Sequence, residues 1–115
     1  MTNSRQKGKR GELALAKILN GHGYHTRRSA QYCGANGDAD VVGLEGIHIE
    51  CKVVERLNIQ EAMEQAEHDR KIDRIPCVFH KKNRHGWMVT LQLEDFLDLY
   101  EKWIGIDDFE RMGKE

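Results

Sequence analysis

Residues 37–52, GDADVVGLEGIHIECK, set Asp38, Asp40, Glu50 and Lys52 inside two short runs that otherwise have the apolar, β-branched composition of strands. Charge on a strand that packs into a core is costly, so these side chains call for a chemical use. In IHIECKV, strict alternation puts Ile47, Ile49, Cys51 and Val53 on one face and His48, Glu50 and Lys52 on the other. This polar face reads as solvated, with His48 a surface histidine near the site. The loop sets whether Asp40 joins it. A two-residue Glu45-Gly46 turn would set Asp40 among apolar residues, whereas a three-residue Leu44-Glu45-Gly46 loop pairs 43 with 47 and 40 with 50. Gly46 then takes the left-handed position such loops favour, and this register is the one expected. Asp38 replaces Asp40 if the strand begins differently.

Two adjacent carboxylates repel unless they share a cation. Magnesium suits such a pair, because it takes one or two protein carboxylates and keeps several waters. Lys52 is then placed to hold and deprotonate an attacking water. The outline is that of phosphodiester hydrolysis. Read alone, Glu50 and Lys52 also fit an ordinary ion pair on a solvated sheet face. The six histidines show no HxxxH or HExxH spacing, which argues against a zinc hydrolase.

The elements that must position these groups follow from periodicity. GKRGELALAKILNGHG is a helix stopped by Gly21 and Gly23, with Glu12 one turn before Leu15 and Ala16, on or beside the buried stripe. YHTRRS is a strand leading into the loop AQYCGANG. After the two charged strands, Asn58 and Glu61 resemble a capping box for a helix whose Ile59, Ala62, Met63 and Ala66 recur at helical spacing. PCVFH and WMVTL are strands joined by the turn KKNRHG, and LEDFLDLYEKW closes as a helix. The order α-β-β-β-α-β-β-α implies an α/β fold, a mixed central sheet flanked by helices. Trp87, Phe96, Tyr100 and Trp103 are expected to pack in the core, any surplus forming a contact face. Cys51 and Cys77 read as small core residues.

With 115 residues, the chain suits one domain, its core about 7–103 with a tail over 104–115. Charged residues are 32% and no apolar run is long enough to span a membrane. With no apolar signal core behind the basic start, a cytoplasmic protein is expected. Three cysteines without CxxC spacing argue against a disulfide framework. Net charge is only −1, but its distribution is uneven: residues 1–28 carry seven Lys/Arg against one acid, and residues 94–115 carry three against eight. That asymmetry fits a phosphate-binding face as well as plain solvated surface.

Asp40 and the ECK of 50–52, nine residues apart, resemble the D-x(n)-ExK signature of the PD-(D/E)XK nuclease superfamily, with Ala39 where that family often has proline. Upstream, KGKRGELALAKIL, GY and RRSA are similar to the first helix and strand of archaeal-type Holliday junction resolvases and related small phage nucleases. The likeness covers roughly residues 7–91 and implies a restriction-endonuclease-like α-β-β-β-α-β core. It further implies Asp40 and Glu50 as metal ligands, with the Cys51 carbonyl as a third, Glu12 completing the shell, and Lys52 activating water. Ser29 matches a loop serine important in some resolvases.

The resulting expectation is a Mg2+- or Mn2+-dependent DNA endonuclease, a resolvase of four-way or branched DNA. The alternatives are a restriction- or repair-type nuclease on the same core, or a DNA-binding protein without cleavage. Arg5, Lys7, Lys9, Arg10, Arg27 and Arg28 would hold phosphates without reading sequence. Lys81, Lys82 and Arg84 form either a second DNA-contacting element or a charged turn. Since a junction needs two cuts and related resolvases are dimers, the resemblance also implies a homodimer.

Overall fold

A computed structural model of the protein describes residues 4–29 and 39–113, with side chains over 6–29 and 39–105. The loop containing Cys33 and the alternative ligand Asp38 falls outside them. The elements appear in the expected order: α1 (Ser4–Gly21), β1 (Arg27–Arg28), β2 (Val41–Val42), β3 (Ile47–Val53), α2 (Ile59–Asp69), β4 (Ile75–Lys81), β5 (Met88–Thr90) and α3 (Leu93–Gly113). The strands lie side by side in sequence order, β3 and β4 parallel and every other pair antiparallel.

At Val41 the β2–β3 pairing has the expected odd parity, but the expected three-residue loop is corrected. The Ile47 amide donates to the Leu44 carbonyl at 3.1 Å and closes a two-residue Glu45-Gly46 turn, so one residue of 42–43, where Gly43 has φ +125°, is extra to the ladder. Val41 lies opposite Ile49, the Asp40 amide donates to the Ile49 carbonyl at 2.9 Å, and Gly46 has φ +84°. Continuing that pairing by one residue sets Asp40 across from Glu50.

A parallel pair needs a crossover, and α2 supplies it on one face of the sheet while α1 covers the other. Leu15 and Ala16 of α1 pack on Val41, Ile49, Cys77 and Phe79, with Cys51 and Trp87 at the margin. Ala62, Met63 and Ala66 of α2 pack on Val78. Each fully buried side chain of this kind contributes about 1.5–3 kcal/mol. The even face of β3 is therefore not solvated: α2 lies over it, and His48 is 1% exposed. Alternation reports which residues share a face, not what covers that face.

Three details fix α1 relative to the strands. At Gly11 an added Cβ would stand 2.8 Å from Val53 Cγ2, so the helix rides close on β3. Asn20 accepts from the Thr26 amide at 2.6 Å and donates to its carbonyl at 3.0 Å. The Thr26 hydroxyl donates to the Ala16 carbonyl at 3.1 Å, so the helix end and the entry to β1 are clasped together. Pro76 is accommodated for a related geometric reason. The Ile75 amide bonds toward Gly46, so the donor missing at Pro76 would point the other way, where β5 reaches only Val78–His80.

The closing helix departs from expectation. It runs on to Gly113, with Gly105 leaving helical geometry at φ 76° and ψ 163°. Phe96 and Trp103 are 49% and 81% exposed, so the expected core packing of these aromatics is corrected. Phe96, Tyr100 and Trp103 instead form a row of stacked rings at 6.2 and 6.0 Å along the helix. Their spacing marks a water-avoiding face, and nothing in that spacing requires the cover to come from the same chain. Among the described residues no helix is long and apolar enough to cross a membrane.

The Asn58 side chain accepts from the Glu61 amide at 3.0 Å, the cap expected at the start of α2. Asn58→Ala is expected to lower the unfolding free energy by about 1 kcal/mol in urea titration, whereas Asn58→Asp retains the acceptor and the stability.

Candidate active site

Beyond Asp40, β3 runs on without a described β2 partner, and there the polar groups gather. The Asp40 carboxylate turns back along this open edge, its Oδ2 accepting from the Cys51 amide at 2.8 Å. In an extended strand the N–H and C=O of one residue point to the same side, so the Cys51 carbonyl also faces this edge. That is the direction its expected ligand role requires.

Glu12 approaches from α1 and is 7% exposed. Its Oε1 accepts from Arg28 Nε at 2.6 Å. Glu50 rises from β3 under α2, 4% exposed, with Oε1 hydrogen-bonded to His48 Nε2 at 2.9 Å. Burial raises the carboxyl pKa of Glu12 and of Glu50, and the nearby Asp40 carboxylate pushes both further up; Arg28 and His48 oppose this, with Lys52 a smaller opposing influence on each. Glu12, Asp40, Glu50 and Lys52, dispersed along the sequence, thus share one electrostatic neighbourhood. The Cys51 thiol beside them is pushed up to about 12, first by burial and then by Asp40 and Glu12. It is a neutral spectator.

Ser29 lies at the same edge. Its amide donates to the Asp40 carbonyl at 3.0 Å, and its buried hydroxyl has no hydrogen-bond partner among the described residues.

Among the described residues no three His, Cys, Asp or Glu side chains close into a ready-made cation cage. Each acid already has one oxygen engaged, by Arg28, by the Cys51 amide and by His48. The donor set still fits magnesium or manganese, for which two carboxylates with water suffice. Asp40 and Glu50 are the pair whose mutual repulsion a hard divalent ion would relieve.

Two functional contacts were not anticipated from sequence. Arg28, expected on phosphates, is committed to Glu12, and His48, expected at the surface, is committed to Glu50. For His48 the signal was present, two residues before Glu50 and on its face. For Arg28 nothing in the spacing named Glu12 as its partner.

The basic groups fall into two sets that meet. Lys7 and Arg10 of α1 line a depression of about 390 Å³ with Asn83 and Trp87 of the β4–β5 turn and Val53, whereas Lys52, on the other face of β3, lines a separate one with Asn58, Glu61 and Gln65 of α2 and its cap. The turn is pinned to the end of β3 by the Asn83 amide donating to Glu55 at 2.7 Å. Lys9, Arg27, Lys82 and Arg84 are exposed and Lys81 half-buried, while the Arg5 side chain is outside the described set.

The fold is restriction-endonuclease-like, and the family to which the chain belongs is one of nucleases. The chain belongs to the family described as "Phage putative PDDEXK endonuclease", whose model matches residues 3–111. Its fold is similar to that of the Holliday junction resolvase Hjc of the archaeal hyperthermophile Archaeoglobus fulgidus, at 24% identity and a TM-score of 0.56, covering 74% of this chain and 72% of that one. No protein of curated function matches the sequence significantly.

Because Glu50 is harder to ionise when folded, its native pKa exceeds its unfolded one, and the native state holds the extra proton between the two values. Stability of the metal-free protein then falls as pH rises from the ordinary value of 4.5 through the raised one. Glu50→Gln lacks this penalty. Its unfolding free energy relative to wild type, from urea titrations at several pH values without metal, is expected to climb across that window and then level. A flat difference would contradict the burial of an ionisable Glu50.

Proposed function

We propose that the protein is a divalent-metal-dependent DNA endonuclease that resolves four-way or otherwise branched DNA as a homodimer, with Mg2+ or Mn2+ as cofactor. The observation that carries the reading is the Asp40 carboxylate held on the Cys51 amide, between Glu50 and Lys52 and close enough to raise the pKa of Glu50, in a chain of an endonuclease family. Asp40, Glu50 and the Cys51 carbonyl hold the cation, and Glu12 completes its surroundings. A bound divalent cation supplies stabilisation of negative charge on the phosphate and the leaving oxygen. Lys52, three N–H donors and no acceptor, holds and orients the attacking water. Arg28 keeps Glu12 turned toward the site, and Ser29, its amide on the Asp40 carbonyl, braces the same end of the hairpin. Lys7, Arg10 and the turn carrying Lys82 and Arg84 grip the backbone on one side without reading bases.

The junction preference draws on the likeness to a resolvase, and the dimer on α3. Leu93, Phe96, Leu97 and Trp103 of α3 are 66%, 49%, 46% and 81% exposed. The radius of gyration, 15.7 Å, exceeds the value of about 13 Å typical of a compact chain of this size. A second copy covering this face would unite two active sites, one for each strand cut.

Labelled four-way, nicked, linear and single-stranded DNAs incubated with Mg2+ or Mn2+ test the substrate. Paired nicks confined to the junction are expected. Cutting of every duplex would instead assign a general nuclease, and salt-sensitive binding without any cutting a DNA-binding module. Lys52→Ala is expected to lose about 10²–10⁴-fold in cleavage rate while binding DNA normally, and an unchanged rate would remove Lys52 from the chemistry. In sedimentation velocity the wild type is expected to run as a dimer and Trp103→Glu as a monomer. A wild-type monomer at micromolar concentration would reject the α3 interface.

A further inference from the structure

The most buried polar side chain of the core is not one of the four expected at the site. His48 is 1% exposed, lies opposite Pro76 on β4, and sits beneath the helix that brings Ala62, Met63 and Ala66 onto this face. An apolar residue there would pack against proline and helix without desolvating an imidazole. Its one hydrogen bond among the described residues goes to Glu50 Oε1.

We propose that His48 is the positioning residue of Glu50: clamped between the sheet and α2, it ties down Oε1 and so directs Oε2 to the divalent cation. The inference rests on reading Glu50 as a cation ligand. Residues 48 and 50 project from the same face of one strand, so the contact needs no help from a loop. A glutamate has three rotatable side-chain bonds, and a hydrogen bond at one oxygen removes most of that freedom before a cation arrives. Ionised Glu50 can only accept, so the proton in this bond belongs to His48 Nε2. The charged groups facing His48 are Glu50 beside it and Asp69 in the last turn of α2, whose carboxylate senses the imidazole as well as its own partners Gln65 and His68. His48 acts through Glu50 alone and touches neither DNA nor water in the reaction.

The test compares wild type with His48→Leu, which keeps bulk, and His48→Gln, which keeps a donor. Mn2+ affinity is measured by calorimetry on the full chain without DNA, and kcat and KM on the best-cut DNA. His48→Leu is expected to bind Mn2+ about 10–100-fold more weakly, with kcat reduced and KM for DNA unchanged, and His48→Gln to recover most of both. A leucine variant with wild-type Mn2+ affinity overturns the proposal, as does a glutamine variant as impaired as the leucine one. A nitrogen-15 NMR spectrum of the Mg2+-loaded wild type adds a readout that survives misfolding of the variants: with Glu50 ionised on the cation, Nε2 must carry the proton, and a bare Nε2 overturns the assignment. Wild type that takes up no Mn2+ rejects the metal reading of the site and this inference with it, whereas wild-type uptake with an indifferent leucine variant rejects His48 alone.

Discussion

Three carboxylates, Glu12 from α1, Asp40 before β2 and Glu50 from β3, lie close enough that Asp40 raises the pKa of the other two. Both of those are almost wholly buried, and the molecule is arranged to make that tolerable. Like charges at short range in a poorly solvated place cannot all persist without compensation. Here each has its own: a guanidinium for Glu12, a main-chain amide for Asp40, an imidazole for Glu50. These partners come from β1 and β3, and each depends on a different piece of architecture. The Asn20–Thr26 clasp brings β1 back beside α1 so that Arg28 meets Glu12. The close ride of α1 over Val53 at Gly11 sets the height of Glu12 above the sheet. The hairpin register delivers Asp40 to the Cys51 amide.

The same arrangement separates chemistry from binding. Acidic groups collect where β2 ends, while the basic side chains of α1 and the β4–β5 turn surround a neighbouring depression lined by Val53. Among the described residues no carboxylate lines that depression, so the attraction of its lysine and arginine for a polyanion would not be cancelled by the acids. The weak net charge of the chain hides the basic side, because the acids of residues 94–115 offset it.

Much of this was legible in the sequence. The element order, the odd hairpin register, the helix cap at Asn58 and the burial of Glu12 all follow from local rules: period, parity and turn chemistry. What local rules miss is cover. His48 and Glu50 alternate as a polar face should, yet the crossover helix required by the parallel β3–β4 pair lies on top of them. Phe96 and Trp103 repeat as a core face should, yet α3 presents them outward. In both cases the pattern along one element was right and the identity of its neighbour was a property of the whole fold. Arg28 belongs with these, since a cation beside a strand carries no mark of which carboxylate it will meet.

The connection Leu44–Gly46, half-buried but for Glu45, is far plainer than the groups it aligns, and connections at the surface ordinarily drift freely in length. This one cannot. Adding or deleting a single residue there would swing Asp40 away from Glu50, whereas a change of two would leave the acids on a common side. Length variation at this bend in related chains should therefore come in even steps, a footprint of the chemistry written into a segment that takes no part in it.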